Sequence, residues 1–167
     1  AHTVRERGIT YNTLNHRRIR ERLSFLEARD EVARYYGLSG APPKWIACEQ
    51  EELFPTLIDE IQNKAMMYDR SSIAVLVPKK ESISDLAAQQ IYVDKRTYLE
   101  SKGLEWLCGI VIVDQIWFSA LESGRLLAKP SNIKRINAFY VATTRFRESL
   151  TVIVVSSADS KWSTHIY

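Results

Sequence analysis

The chain has 167 residues, of which 46% are hydrophobic and 26% charged, a composition typical of one globular domain with a sizeable core. Its 23 lysines and arginines exceed its 20 acidic residues by a formal charge of +3, which permits a nucleic-acid partner without demonstrating one. No apolar run approaches the ~20 residues that cross a membrane, and no signal-peptide core follows Ala1. We therefore expect a cytoplasmic location, or a nuclear one in a eukaryote, and no membrane partner.

Strand and helix patterns alternate along the chain. Apolar runs rich in β-branched residues predict buried strands at 73–77, 109–113 and 150–155, and weaker runs predict strands at 9–14, 45–48 and 91–93. Amphipathic patterns predict helices at 18–36, 51–64, 82–90 and 132–147. We expect Ser82 to cap the third helix, and Pro55 to lie in the first turn of the second. This alternation predicts an α/β domain with a mostly parallel sheet.

The chain has few features of an independent enzyme. None of its six glycines lies in a GxxxxGK[ST] loop, so it has no P-loop to hold phosphates. The segment 111–114 (VIVD) imitates a Walker B strand, but without a P-loop we interpret it as a core strand that ends in a solvated carboxylate, Asp114. The two cysteines, Cys48 and Cys108, are expected to be reduced, and no metal-ligand spacing links them to the histidines. We predict neither NTPase activity for this chain alone nor a metal site.

Two segments carry more information than the rest. Segment 97–106 (TYLESKGLEW) precedes one predicted strand, and segment 139–149 (FYVATTRFRES) precedes another. They resemble motifs V and VI of superfamily 1 helicases of the UvrD/Rep type, in the family's order. The KGLE core of motif V is intact at 102–105, and motif VI matches at Tyr140, Val141, Ala142, Thr144, Arg145 and Arg147, with Phe146 replacing the usual alanine. A softer resemblance relates 14–18 (LNHRR) to motif IV.

The resemblance implies that residues 1–167 form the second RecA-like domain of such a helicase, a three-layer α/β domain without its own P-loop. The interval between Arg18 and Lys102 is too short for the accessory domain that larger relatives insert there. In this family ATP with Mg²⁺ binds between two RecA-like domains, so the first RecA-like domain would be a partner. We expect that domain to precede Ala1 in a longer protein. Single-stranded DNA, or RNA, would lie across both domains.

The resemblance also implies roles for individual residues. Arg145 would be the arginine finger, and Arg17 a second arginine on the γ-phosphate, although Arg18 could take its place. The expected nucleotide-binding residues are Glu105, which would bond the nucleotide sugar, Gly103, which would give the loop room, and Lys102, which would order the loop or meet a phosphate. The alternative for Lys102 is a solvated loop lysine.

Thr97 and Ser101 are the predicted nucleic-acid contacts. Leu99 stands where the family often has a histidine near the DNA, so that contact is in doubt. Lys134 and Arg135 stand where many relatives carry acidic residues. Three aromatic residues, Trp106, Trp117 and Phe118, are interpreted as core residues, with base stacking as the alternative.

Two functions follow from this sequence. The first is a motor domain that completes the ATP site of a helicase or translocase. The alternative is a non-catalytic RecA-like scaffold or protein-interaction module in a DNA repair, transcription or defence complex.

Overall fold

The computed structural model describes residues 43–123, 130–157 and 162. The predicted strand at 9–14, the helix at 18–36 and the motif IV-like segment with Arg17 lie outside the described residues. Five parallel strands form one sheet in the order β1-β5-β4-β2-β3. The strands are β1 (Lys44–Glu49), β2 (Ile73–Val77), β3 (Asp94–Thr97), β4 (Trp106–Asp114) and β5 (Phe146–Ser156).

Four described helices cover the sheet, two on each face. Leu53, Leu57 and Leu86 of the first two helices share a core with Ile110, Ile112 and Ile153 of the sheet. Trp117, Phe118 and Phe139 of the last two pack with Val111 and Val113 on the other face. The helices are α1 (Leu53–Ala65), α2 (Lys80–Ala88), α3 (Gln115–Glu122) and α4 (Pro130–Thr143). This arrangement confirms the predicted three-layer α/β architecture.

The strands predicted at 45–48, 73–77, 109–113 and 150–155 lie within β1, β2, β4 and β5, respectively. All five residues of β2 are buried, because helices cover both faces of the parallel sheet. Pro55 is the third residue of α1, where its missing N–H costs no hydrogen bond. Trp162 is buried against the α1 side of the domain, with its ring 6.1 Å from that of Phe54. Cys48 and Cys108 are free thiols, as predicted.

Several element boundaries differ from the predictions. The strand predicted at 91–93 begins three residues later. Strand β3 (DKRT) is charged and lies at the edge of the sheet that the described residues form, and the apolar signal comes from the buried residues before it. Ser82 does not cap α2, since the helix begins at Lys80 and Ser82 is buried inside it. The last predicted helix ends at Thr143 instead of 147.

Helix α3 was not predicted. Its sequence (QIWFSALE) follows β4 without a break and is apolar on several sides, so neither strand nor helix periodicity separates it from the strand. Its start is fixed by Asp114, whose carboxylate Oδ2 accepts a hydrogen bond of 2.8 Å from the backbone N–H of Trp117. Asp114 is therefore a buried helix cap, and the prediction of a solvated carboxylate was wrong. Burial raises the pKa of this carboxyl group.

A buried polar network fixes α1 to β5. The Nζ of Lys64 donates a hydrogen bond of 2.8 Å to the hydroxyl of Ser149. The carboxylate of Glu60 accepts from the Nζ of Lys44 at 2.6 Å and from the hydroxyl of Thr151 at 3.1 Å. Burial lowers the pKa of Lys64 to about 8, although the nearby carboxylate of Glu60 acts in the opposite direction. Keeping the charged ammonium group of Lys64 in this network therefore costs desolvation free energy.

That cost predicts a pH dependence of stability. Below pH ~8 Lys64 is charged in both the folded and the unfolded chain. Between about pH 8 and its ordinary pKa of 10.5, the unfolded chain binds more protons than the folded chain. The contribution of Lys64 to the free energy of unfolding should therefore rise with pH across that window. Chemical denaturation at a series of pH values should show a rise in wild type relative to Lys64→Met. Profiles with the same slope in both proteins would contradict the prediction. Lys134→Met, at an exposed lysine, is the control.

Gly109 of β4 is packed too closely to carry a side chain. A Cβ at this position would lie 2.1 Å from Cε1 of Phe146 and 2.5 Å from the carbonyl oxygen of Ala74. We predict that Gly109→Ala lowers the free energy of unfolding by about 3 kcal/mol, the upper range for overpacking, because a backbone oxygen cannot move aside.

Gly103→Ala is the matched comparison, since Gly103 has a φ of 84° but open space around its missing side chain. Backbone strain alone should cost roughly 1 kcal/mol there. Urea denaturation of both variants measures the difference, and an equal loss would show that packing at Gly109 is not the constraint.

Candidate functional site

The parallel sheet sorts the predicted site residues onto two edges. All strands begin at one edge, here called the amino edge, and end at the opposite one, the carboxyl edge. Glu105 and Arg145 each precede a strand and lie at the amino edge, whereas Thr97 is the last residue of β3 and lies at the carboxyl edge. Glu105 and Arg145 are therefore at the opposite edge of the sheet from Thr97.

At the amino edge, β4 and β5 bring together the two segments that resemble motif V and motif VI. The first residues of the two strands, Trp106 and Phe146, are register partners. The backbone N–H of Trp106 also donates a hydrogen bond of 3.0 Å to the carbonyl oxygen of Arg145. Glu105 and Arg145 are thus fixed as backbone neighbours, although the sequence places them far apart.

Arg145 lies in the bend between α4 and β5. Its backbone N–H donates to the carbonyl of Ala142, and its Nε donates to the carbonyl of Val141 at 3.1 Å. A second guanidinium nitrogen donates to the hydroxyl of Thr144, also at 3.1 Å. In the described part of the chain no carboxylate is paired with Arg145. The guanidinium therefore rests on the end of its own helix, where a cation is favoured by the helix dipole.

Arg147 lies in the segment that resembles motif VI, and the sequence suggested no role for it. Its Nε lies 3.3 Å from a carboxylate oxygen of Glu105. Both side chains are about half exposed, at 52% and 56%, so the pair contributes at most about 1 kcal/mol. Sequence reasoning missed this contact because it depends on the pairing of β4 with β5.

The turn before β4 carries the other two predicted nucleotide-binding residues. Gly103 has a φ of 84°, a conformation that favours glycine, and no atom lies within 4 Å of the place where its Cβ would be. Glycine is thus needed here for its backbone conformation, and the space beside it is open. Lys102 is exposed directly before it.

At the carboxyl edge, Thr97 and Glu100 form a reciprocal capping box. The backbone N–H of Thr97 donates to the carboxylate of Glu100 at 2.9 Å, and the backbone N–H of Glu100 donates to the hydroxyl of Thr97 at 3.2 Å. The first of these bonds lowers the pKa of Glu100. The hydroxyl of Thr97 accepts in this box, so its own proton can still be donated to a ligand.

Ser101, the other predicted nucleic-acid contact, is fully buried. Its hydroxyl donates a hydrogen bond of 2.6 Å to the carbonyl of Tyr98. Tyr98 is itself buried, and its hydroxyl donates to the carbonyl of Ile112. The hydroxyl of Ser101 therefore stabilises the turn and has no access to a ligand in this structure.

A groove of about 740 Å³ opens beside Thr97, and we call it the carboxyl-edge groove. It lies between the start of α2, the end of β3 and the first half of α4, and four of its lining residues are cationic. Its lining consists of Pro78, Lys79, Lys80, Glu81, Thr97, Tyr98, Leu99, Lys134, Arg135 and Ala138. Sequence reasoning missed the groove because the two basic pairs are far apart in the chain.

Trp106, Trp117 and Phe118, for which core packing and base stacking were the two interpretations, are core residues. Trp117 and Phe118 are 0% and 1% exposed, and Trp106 is 8% exposed with its indole N–H bonded to Asp94. None of the three offers a face for base stacking. The described residues contain no group of three or more histidine, cysteine or acidic side chains that could hold a metal ion. No helix in the same residues has the length and hydropathy needed to cross a membrane.

Comparisons with known proteins agree with the architecture. No protein-family model matches the chain, and no curated protein matches it significantly in sequence. A solved structure that does match is the C-terminal domain of a possible DNA helicase from Lactobacillus plantarum WCFS1. The TM-score is 0.54 with 16% sequence identity, over 87% of this chain and 92% of that one. At this identity the likeness is one of fold, and the chain has the three-layer RecA-like α/β fold.

Proposed function

We propose that this chain is the second motor domain of an ATP-dependent superfamily 1 DNA helicase or translocase. In this proposal it completes an ATP site whose P-loop and Mg²⁺ ligands belong to a first RecA-like domain. The observation that carries the proposal is the meeting of Arg145 and Glu105 at the amino edge, through the pairing of β4 with β5. The fold shared with a domain of a possible DNA helicase supports it.

The surroundings of Arg145 suit an arginine finger. Two hydrogen bonds, to the carbonyl of Val141 and the hydroxyl of Thr144, hold the side chain. Each makes a net contribution of about 1 kcal/mol to stability. A nearby phosphate would compete with them, because a guanidinium binds anionic oxygens through charged, paired hydrogen bonds. Arg145 would then neutralise the charge that develops on the transferred phosphoryl group.

The remaining residues of the amino edge suit the nucleotide's other parts. The carboxylate of Glu105 can accept a hydrogen bond from a sugar hydroxyl, and its exposed pair with Arg147 is weak enough to yield. The open space beside Gly103 and the exposed Lys102 allow another surface to approach this turn. Bound ATP with Mg²⁺ would supply the phosphoryl group that is transferred to water.

Nucleic acid would be held at the opposite edge, with Thr97 as a hydroxyl donor to phosphate. Arg17 remains a proposed second arginine of the ATP site. Ser101 is left out of the proposal because its hydroxyl is buried.

The decisive experiment compares wild type with Arg145→Ala in a longer protein that includes the first RecA-like domain. ATP turnover is measured with and without single-stranded DNA and RNA, and nucleotide affinity is measured separately. We expect the substitution to lower kcat about 10³-fold or more while nucleotide still binds. Arg70→Ala, at an exposed arginine in a 3-10 turn, is the control and should keep wild-type turnover.

The purified 167-residue chain should turn over ATP at a negligible rate, and robust turnover by it would refute the half-motor account. If the longer protein shows no turnover, or if Arg145→Ala changes nothing, the scaffold alternative is favoured.

A further inference from the structure

We infer that the carboxyl-edge groove is a clamp for the sugar–phosphate backbone of a single nucleic-acid strand, with Lys80 and Lys134 gripping it from α2 and α4. The inference rests on the proposed function for its choice of nucleic acid as ligand. It goes beyond the threonine contact that the family resemblance implies, because it assigns a binding role to α4.

The charge of the groove favours an anionic ligand. Its lining carries Lys79 and Lys80 from the start of α2, Lys134 and Arg135 from α4, and a single acidic residue, Glu81. The two basic pairs come from different elements, so a ligand in the groove is within the field of both at once. Lys80 and Lys134 are exposed. When exposed lysines bind nucleic-acid phosphates, counterions condensed on the nucleic acid are released, and this release favours binding.

The start of α2 favours phosphate in particular. The side chain of Lys79, the N-cap residue of this nine-residue helix, makes no capping hydrogen bond. Lys80 and Glu81, the first residues of the helix, line the groove, so the helix starts beside it. Backbone N–H groups at a helix start are donors suited to phosphate oxygens, and the lysines add charge to the same place.

The lining offers little that could read a base. Its one aromatic residue, Tyr98, is buried with its hydroxyl bonded inside the protein, so it cannot stack on a base. Leu99 is 67% exposed and can only make apolar contact with sugars or base faces. The groove should therefore bind the backbone without sequence preference.

The test uses the purified 167-residue chain and a fluorescent oligothymidylate of about 16 nucleotides, with anisotropy measured between about 50 and 200 mM salt. Lys80→Gln and Lys134→Gln should each weaken binding about three- to tenfold and reduce the slope of log affinity against log salt by about 0.7. Arg70→Gln removes the same charge outside the groove and should leave affinity within about twofold of wild type. Thermal denaturation of each variant checks that it is folded.

An oligocytidylate of equal length should bind as tightly as the oligothymidylate. The inference would be overturned by no binding, by an equal loss in all three variants, which indicates diffuse charge, or by a strong base preference. Displacement by polyglutamate as readily as by unlabelled oligonucleotide would also overturn it and indicate an acidic protein partner. None of these measurements involves ATP turnover, so failure of the motor proposal and failure of the clamp are distinguished.

Discussion

The parallel pairing of β4 with β5 is the constraint on which the candidate site depends. Because both strands start at the same edge, the residues just before them, Glu105 and Arg145, are held side by side by backbone hydrogen bonds. The side chains themselves contribute little to this arrangement, since the ion pair of Glu105 with Arg147 is exposed. The relative position of Glu105 and Arg145 is thus set by strand register, and the buried residues of both strands stabilise that register.

Helix α4 connects the two edges of the domain. Its first half lines the carboxyl-edge groove through Lys134 and Arg135, and its last turn supplies the carbonyl that holds the guanidinium of Arg145. Phe139, between them, is fully buried against Trp117 and Tyr98. Helix α4 therefore joins the two edges through a middle turn that is packed in the core.

Much of the fold could be predicted from the sequence, because buried parallel strands leave unmistakable apolar runs such as 109–113. The failures have physical reasons. Strand β3 is charged because it lies at the edge of the described sheet, so it lacks the apolar run of a buried strand. Helix α3 is apolar on several sides because it is buried, so it lacks the 3.6-residue period of an amphipathic helix. The motifs indicated Arg145 and Glu105 but not Arg147 as a partner, since that pair depends on strand register. Both Thr97 and Ser101 are buried, but only Thr97 lines the carboxyl-edge groove, a difference that the sequence could not reveal.

Phe146 and Gly109 have a consequence for how this sequence can vary. The ring of Phe146 occupies the volume that a side chain at position 109 would need, and the carbonyl oxygen of Ala74 closes the same space from the strand on the other side. A smaller residue at position 146 would therefore remove only one of the two obstacles. Because both neighbouring strands confine position 109, a substitution on either strand alone does not release it.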